Sequence, residues 1–410
     1  MKDIISFVQR RLNRLVLRLQ QETSLLLKNC RAAVLDERTV IKRVDILITG
    51  RKIAKIGKQL KAEEAEVIDC SKVVVIPGFV NAHAHTPLLF LRGAADDLEF
   101  SSWLKTVWQK EQRLNRQEVL RFASLASIEL LKQGTVCVVD TYLFWDAIAE
   151  ARKLLGPITY TGPGLRLQPR RELPDAGWLE ACRQGYVRPI LSIHSLYNIN
   201  NISEAKELLA QVPADVPVTL HLAETRQEVA EIKRRYGCYP LELLEREGLL
   251  RGRKWLLVHC GWITSREVEL LRKHKNSVLV VHCPSSTMKL ATYGFLPLKE
   301  LLQAGIRVAL GTDSPASCGS LSMPLEARTA LLLYRHSYWT AELTAQEVFK
   351  MITSTFFEFM NIPAGKIKEG YFAHLLLIDD VFPYLHPFSS RRLVSHLVLN
   401  PFYRIKKVII

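Results

Sequence analysis

Apolar positions along this chain follow two rhythms. From residue 24 to about 72 they come as short runs, Ser24-Leu25-Leu26-Leu27, Ala32-Ala33-Val34-Leu35, Val44-Asp45-Ile46-Leu47-Ile48, Ile53-Ala54-Lys55-Ile56 and Glu66-Val67-Ile68-Asp69, separated by turn residues. That spacing predicts a small β unit. From residue 73 to about 365, strand-like runs alternate with amphipathic segments at 117–133, 203–211, 226–235, 240–247, 265–274 and 341–361. Alternation of this kind predicts βα units around a parallel sheet. The tail returns to strands, expected at 373–378, 391–398 and 407–410. A chain that begins and ends in β around such a middle would bring both ends into one satellite β domain.

Residues 2–22 carry Ile4, Phe7, Val8, Leu12, Leu15 and Leu19 on one helical side and Arg10, Arg11, Arg14 and Arg18 largely on the other. This basic amphipathic extension, residues 1–23, reads as a membrane-surface or partner-binding helix, as a packing helix, or as sequence upstream of the natural start. Membrane contact is the least expected of these.

Composition changes this picture little. With 48% hydrophobic and 24% charged residues the chain is ordinary for a globular protein, and no disordered class is implied. The net charge of +15 raises the question of nucleic acid, yet Lys and Arg are spread along the chain with no accompanying recognition motif, so no nucleic-acid partner is expected. The eight cysteines form no Cys-x-x-Cys, which argues against a disulfide scaffold and for a reducing, cytoplasmic setting. No apolar run reaches the length of a membrane span.

The candidate chemistry sits at the ends of the predicted strands. His83 and His85 follow the run Val73 to Val80, and residues i and i+2 of a strand point the same way, so the pair can hold one metal ion. Further apolar runs finish in His194, His221, His259, His282 and Asp313. A parallel βα barrel gathers its chemistry at the carboxyl ends of several strands, where these residues would fall. His83, His85, His221 and Asp313 supply a nitrogen and oxygen set suited to one Zn²⁺ or Fe²⁺ with a position open for water. Glu224, three residues beyond His221, is either a carboxylate that moves protons at that site or a solvated acid at a helix N-terminus. Trp103, on periodicity alone, reads as core.

The segments Pro77-Gly-Phe-Val-Asn-Ala-His-Ala-His85, Arg92-Gly-Ala-Ala-Asp-Asp-Leu98 with Trp103-Leu104, His221-Leu-Ala-Glu-Thr225, His282-Cys-Pro-Ser-Ser-Thr-Met-Lys-Leu290 and Gly311-Thr-Asp-Ser-Pro-Ala-Ser317 resemble the amidohydrolase superfamily. The resemblance is nearest to its methylthioadenosine/S-adenosylhomocysteine deaminase group, and runs from about residue 24 to the end. It implies an α/β fold: a (β/α)₈ TIM-like barrel over 73–365, with a small β-sandwich domain built from 24–72 and 366–410. It also implies one divalent metal, zinc or iron, on His83, His85, His221 and Asp313. Glu224 would be the proton shuttle and His259 the histidine that hydrogen-bonds the attacking water, with Asp313 helping to orient it. His194 would contact the substrate base, Glu111 the ribose hydroxyls, and Trp103 would pack near the substrate.

The reaction so implied is hydrolytic removal of the C6 amino group from a purine nucleoside of the methylthioadenosine, S-adenosylhomocysteine or adenosine type. Guanine deaminases and triazine hydrolases share much of the pattern and stand as the alternative. A weakly active metal-binding or membrane-peripheral paralogue is the second. Self-association into a homo-oligomer is an expectation of the resemblance only. Departures from the family pattern fall near the site: Pro163 stands where an arginine is common, with Arg166, Arg170 and Arg171 nearby, and Ala373-His374 stands for the usual Ala-Asp.

Overall fold

A computed structural model describes residues 15–167, 175, 177–292, 294–380 and 383–410. Most of the basic extension therefore lies outside the described residues, as do Arg170 and Arg171. The helix expected through residue 22 does not reach that far: Val16–Leu17 is a strand paired in parallel with Ile405–Ile409. Leu19 behind it is fully buried, so this stretch gains more from a sheet edge than from a solvated helix.

The described residues form two compact units, one of residues up to 80 with 128–137 and 322–410, the other of 81–127 with 138–321. In the first, strands from both chain ends build one sheet. Its order is Val16–Leu17, Ile405–Ile409, Leu375–Asp379, Val73–Pro77, Ser24–Val34, Val40–Thr49, Lys52–Gly57, with Glu66–Asp69 also against Ser24–Val34. Two runs expected as separate strands are one, Ser24–Val34. The polar interruption at Lys28-Asn29 is a bulge in that strand, with Asn29 at φ 57°, a left-handed conformation that asparagine tolerates better than most residues. The core of this unit packs Leu25, Leu27, Ile46, Ile48, Val75 and Leu375. Residues 391–398, expected as a strand, are instead the helix Leu393–Leu399, which buries Leu393, Val394, Leu397 and Val398. The long amphipathic run 341–361 divides into the helices Ala345–Met351 and Thr355–Met360.

In the second unit the strands Gly164–Leu165, Leu191–Ser195, Val218–Leu222, Trp255–His259, Val278–His282 and Arg307–Leu310 form a parallel six-stranded sheet in that order. Every residue of Val218–Leu222, Trp255–His259 and Val278–His282 is buried. Such runs are continuously apolar because helices cover parallel sheets. A second sheet runs Val187–Pro189, Ile158–Thr161, Thr135–Asp140, Phe79–Ala84. A parallel bridge joins Ala84 to Asp313, just past the last strand of the six. Helices between strands start on side-chain caps: Thr225 accepts from the Glu228 amide, and Thr264 with Glu267 makes a reciprocal capping box. No helix among the described residues is long and apolar enough to cross a membrane.

Candidate active site

Register brings the polar strand ends to one level. His221 pairs with Val258, Leu222 with His259, and His282 with Leu310, and His259, at φ 71°, leaves the strand alternation so that its ring stacks on that of His221 at 5.4 Å. The His83 and His221 Nε2 atoms lie 3.1 Å apart, and those of His85 and His221 lie 3.2 Å apart. Asp313 Oδ1 stands 3.8 Å from His83 Nε2 and 3.7 Å from His85 Nε2. Two groupings, His83 with His85 and Asp313, and His83 with His221 and His259, keep their ligand atoms within 4.8 Å of one another.

The protonation pattern of these rings asks for a cation. His85 Nδ1 donates to the Thr141 carbonyl at 2.5 Å, and His221 Nδ1 to the His194 carbonyl at 2.6 Å. A carbonyl can only accept, so each ring carries its hydrogen on Nδ1 and leaves a lone pair on Nε2. Those two lone pairs face each other. Burial, and then the charges of His85 and His259, push His221 down to about 3, so this ring takes no second proton at neutral pH. A divalent cation would relieve the facing lone pairs, and the imidazole and carboxylate donors suit one.

Asp313 sits at φ 63° and is held on both oxygens: Oδ1 accepts from the Ser314 amide at 2.7 Å, and Oδ2 from Ser286 Oγ at 2.5 Å and Ser317 Oγ at 3.1 Å. Burial would raise this acid, but His85, His259 and the Ser286 hydroxyl outweigh it and hold it below the ordinary carboxylate range. Glu224 shows the opposite behaviour. Burial first, then the charges of Asp313 and Glu228, raise it well above that range, and its Oε1 lies 3.5 Å from His259 Nε2. Burial pushes His259 itself down to about 4. The Glu224 turn is fixed from behind: Glu228 accepts the Ala223 amide at 3.1 Å and the Glu224 amide at 2.8 Å, with Ala223 at φ 49°.

The model of the Amidohydrolase family matches residues 74–410. The chain belongs to the amidohydrolase family. It is 36% identical over 393 residues, 92% of this chain and 90% of the other, to a 5-methylthioadenosine/S-adenosylhomocysteine deaminase of Thermococcus sibiricus. A 5'-deoxyadenosine deaminase of Methanocaldococcus jannaschii is 34% identical over 375 residues, 87% of each chain. Among solved structures, an adenosine deaminase of Xanthomonas campestris with bound zinc superposes with a TM-score of 0.83 at 29% identity, covering 95% of this chain and 91% of that one. The family and the His/Asp cluster together support a divalent metal site.

In this amidohydrolase the cleft beside the cluster is lined by Trp103, Glu111, Arg166, His194 and Glu224, all singled out in the sequence, and by Tyr142, Trp108 and Tyr197, which were not. Glu111 is buried and raised by that burial, offset in part by Tyr142 and the charge of Arg166. The Trp103 indole is buried as well, in a cluster with Leu88, Val107 and Tyr142, as its core reading expects, and it also lines the cleft. Of the arginines near Pro163, Arg166 lines the cleft. His282 is buried beside the site, with burial taking it down to about 3, and its Nδ1 finds no hydrogen-bond partner among the described residues. Ser286 and Ser317, which hold Asp313, lie inside motifs already conspicuous in the sequence. The Thr141 and His194 carbonyls could not be read there, because a main-chain acceptor leaves no residue signature.

Proposed function

We propose that this amidohydrolase is a hydrolytic deaminase of adenine nucleosides, releasing ammonia from C6. The observation that carries this reading is Glu224, a buried acid raised well above its ordinary range, whose Oε1 stands 3.5 Å from His259 Nε2 beside the histidine cluster. Hydrolysis at C6 of an adenine ring needs such a group: N1 must gain a proton as oxygen adds to C6, and the amino group must gain one before it leaves. Bound on His83, His85, His221 and Asp313, a divalent cation would lower the pKa of water at the site to roughly 7. Zinc is the ion expected, and iron(II) suits the same ligands.

The protein's own groups then divide the work. His259 and Asp313 orient the water that adds to C6. Glu224 gives its proton to N1, takes one from the added water and passes it to the amino nitrogen, which departs as ammonia while the remaining hydroxyl proton at C6 returns to Glu224 and leaves a 6-oxopurine. His194 faces the base, Glu111 takes the ribose hydroxyls, and Trp103 packs along the bound nucleoside. An outer apolar chamber shares Phe100, Leu104, Trp108 and Tyr197 with the cleft and gives room for a substituent at C5'. We read the parallel strands as a closed (β/α)₈ barrel spanning 73–365, and the chain-end strands as a sandwich-like domain.

Ammonia release from adenosine, methylthioadenosine, S-adenosylhomocysteine, guanine and a chlorotriazine, with zinc-loaded protein and a Glu224→Gln control, tests this function. Turnover of an adenosine derivative that disappears in the control, with metal content unchanged, is the expected result. Turnover of guanine or the triazine alone would replace this reading with the other aromatic hydrolases of the family.

A further inference from the structure

Behind the His85 ligand lies a buried ion pair with no place in the chemistry above. Arg152, on the helix Trp145–Leu155, and Asp140, at the end of Thr135–Asp140, are both 0% exposed. Arg152 Nη2 donates to Asp140 Oδ2 at 2.6 Å and to Thr86 Oγ1 at 2.7 Å, while Nη1 donates to the Ala123 carbonyl at 2.6 Å and to Ser127 Oγ. Asp140 in turn accepts the Thr86 amide at 2.9 Å on Oδ1 and the Thr86 hydroxyl at 2.5 Å on Oδ2.

The partners of this pair are the residues that bracket His85. Asp140 holds Thr86 by main chain and side chain. The next residue, Thr141, donates its amide to the Ala84 carbonyl at 3.2 Å and offers its own carbonyl to His85 Nδ1. Two adjacent residues, Asp140 and Thr141, therefore grip three adjacent residues, Ala84, His85 and Thr86. The grip sets both the direction of the His85 ring and the tautomer that leaves Nε2 free. An isolated carboxylate with no water around it could not stay ionised to do this, and Arg152 supplies the compensating charge through a fork that also meets Thr86.

We infer that Arg152 and Asp140 are positioning residues that hold His85 as a metal ligand, acting through Thr86 and Thr141. The inference rests on the reading of His85 as a ligand. Groups behind a metal-bound histidine typically change metal affinity by about 10–100-fold when removed. The test is Zn²⁺ affinity of the full chain by chelator competition, with the d–d absorption of the Co²⁺-loaded protein as a second readout. Variants are Asp140→Asn, Arg152→Met, Thr86→Val and Thr86→Ser.

Asp140→Asn and Arg152→Met are expected to weaken Zn²⁺ binding by about 10–100-fold and to alter the Co²⁺ band. Thr86→Val should do the same more mildly, and Thr86→Ser, which keeps the hydroxyl, should restore wild-type binding. Zn²⁺ affinities within threefold of wild type in every folded variant, with an unchanged Co²⁺ band, would overturn the inference and leave the pair a purely structural one. Where the buried-charge variants fail to fold, the Thr86→Val and Thr86→Ser comparison decides. A wild-type protein that binds no Zn²⁺ at all would instead refute the metal-ligand reading on which the inference stands.

Discussion

The side chains of the cluster are held by hydrogen bonds whose loss has a calculable direction. Glu228 satisfies two main-chain donors, the amides of Ala223 and Glu224, one on each oxygen. Glu228→Gln keeps the shape but turns one oxygen into an NH₂ that faces an amide. Leaving a buried donor unmatched costs about 1–3 kcal/mol. Urea unfolding of the variant should show a loss in that range, together with a lower kcat because Glu224 rides on the same turn; wild-type stability and rate would sink this account. His374, in the other unit, makes a prediction in pH. Its ring stacks at 5.7 Å on Phe372 and 6.1 Å on Phe357, and burial, assisted by Arg51, pushes it from 6.5 down to about 4. A histidine depressed in the folded state contributes stability that is complete above about 6.5 and is lost as pH falls through about 4, because the unfolded chain takes the proton first. The drop corresponds to roughly 3 kcal/mol at about 1.4 kcal/mol per pH unit. His374→Phe keeps the stacking and removes the titration, so its stability should fall less than wild type between pH 6.5 and 4. Parallel urea midpoints for the two proteins across that window would count against it.

At the scale of strands and helices, the approach of neighbouring backbones limits which residues can stand next to the histidine cluster. A Cβ on Gly311 would sit 2.8 Å from His83 Cβ and 2.9 Å from the His83 amide nitrogen and carbonyl oxygen. These are main-chain neighbours that cannot swing away, so Gly311→Ala must part Arg307–Leu310 from the end of Phe79–Ala84 and move His83 and Asp313 with them. Misplacement by about 1 Å at a reacting centre is worth about 100-fold in rate. A kcat loss of that order in protein with a native far-UV spectrum is expected; near-normal turnover would show that the strands slide without moving the site. The same scale explains what could be read in advance. Buried parallel strands read as unbroken apolar runs, so the first histidine or aspartate after each run marked its carboxyl end, and His221, His259 and Asp313 were found that way. Leu393, Val394, Leu397 and Val398 fit a helical stripe and a short strand alike, and nothing local arbitrates between them. Asn29 looked like a break because a bulge and a turn use the same residue. The partners that orient His85 and His221 are carbonyl oxygens, set by register and invisible in composition.

Across the whole molecule, the converging imidazoles come from distant parts of the chain: His83 and His221 are 138 residues apart, yet their Nε2 atoms nearly touch. Without a cation, the facing lone pairs of His85 and His221 repel inside a buried cluster. With one held there, the same atoms would tie together the ends of several strands. A ligand that binds only the folded state adds stability as RT ln(1 + [L]/Kd), about 4 kcal/mol at a thousandfold excess over Kd. Stripping the protein with a chelator should lower its Tm, and Zn²⁺ should restore it. Mg²⁺ should not, because that ion prefers an octahedron of oxygens to three imidazoles and a carboxylate. Hydrogen exchange gives the location. Protection gained on adding Zn²⁺ should concentrate at residues 83–86, 221–224, 259–260 and 311–314, where main-chain bonds such as Asp313 N to His83 O and Cys260 N to Leu222 O link one strand end to the next. A Tm indifferent to Zn²⁺, or protection gained elsewhere, would mean that the imidazole cluster does not hold the ion, and that the deaminase chemistry built on it must be abandoned as well.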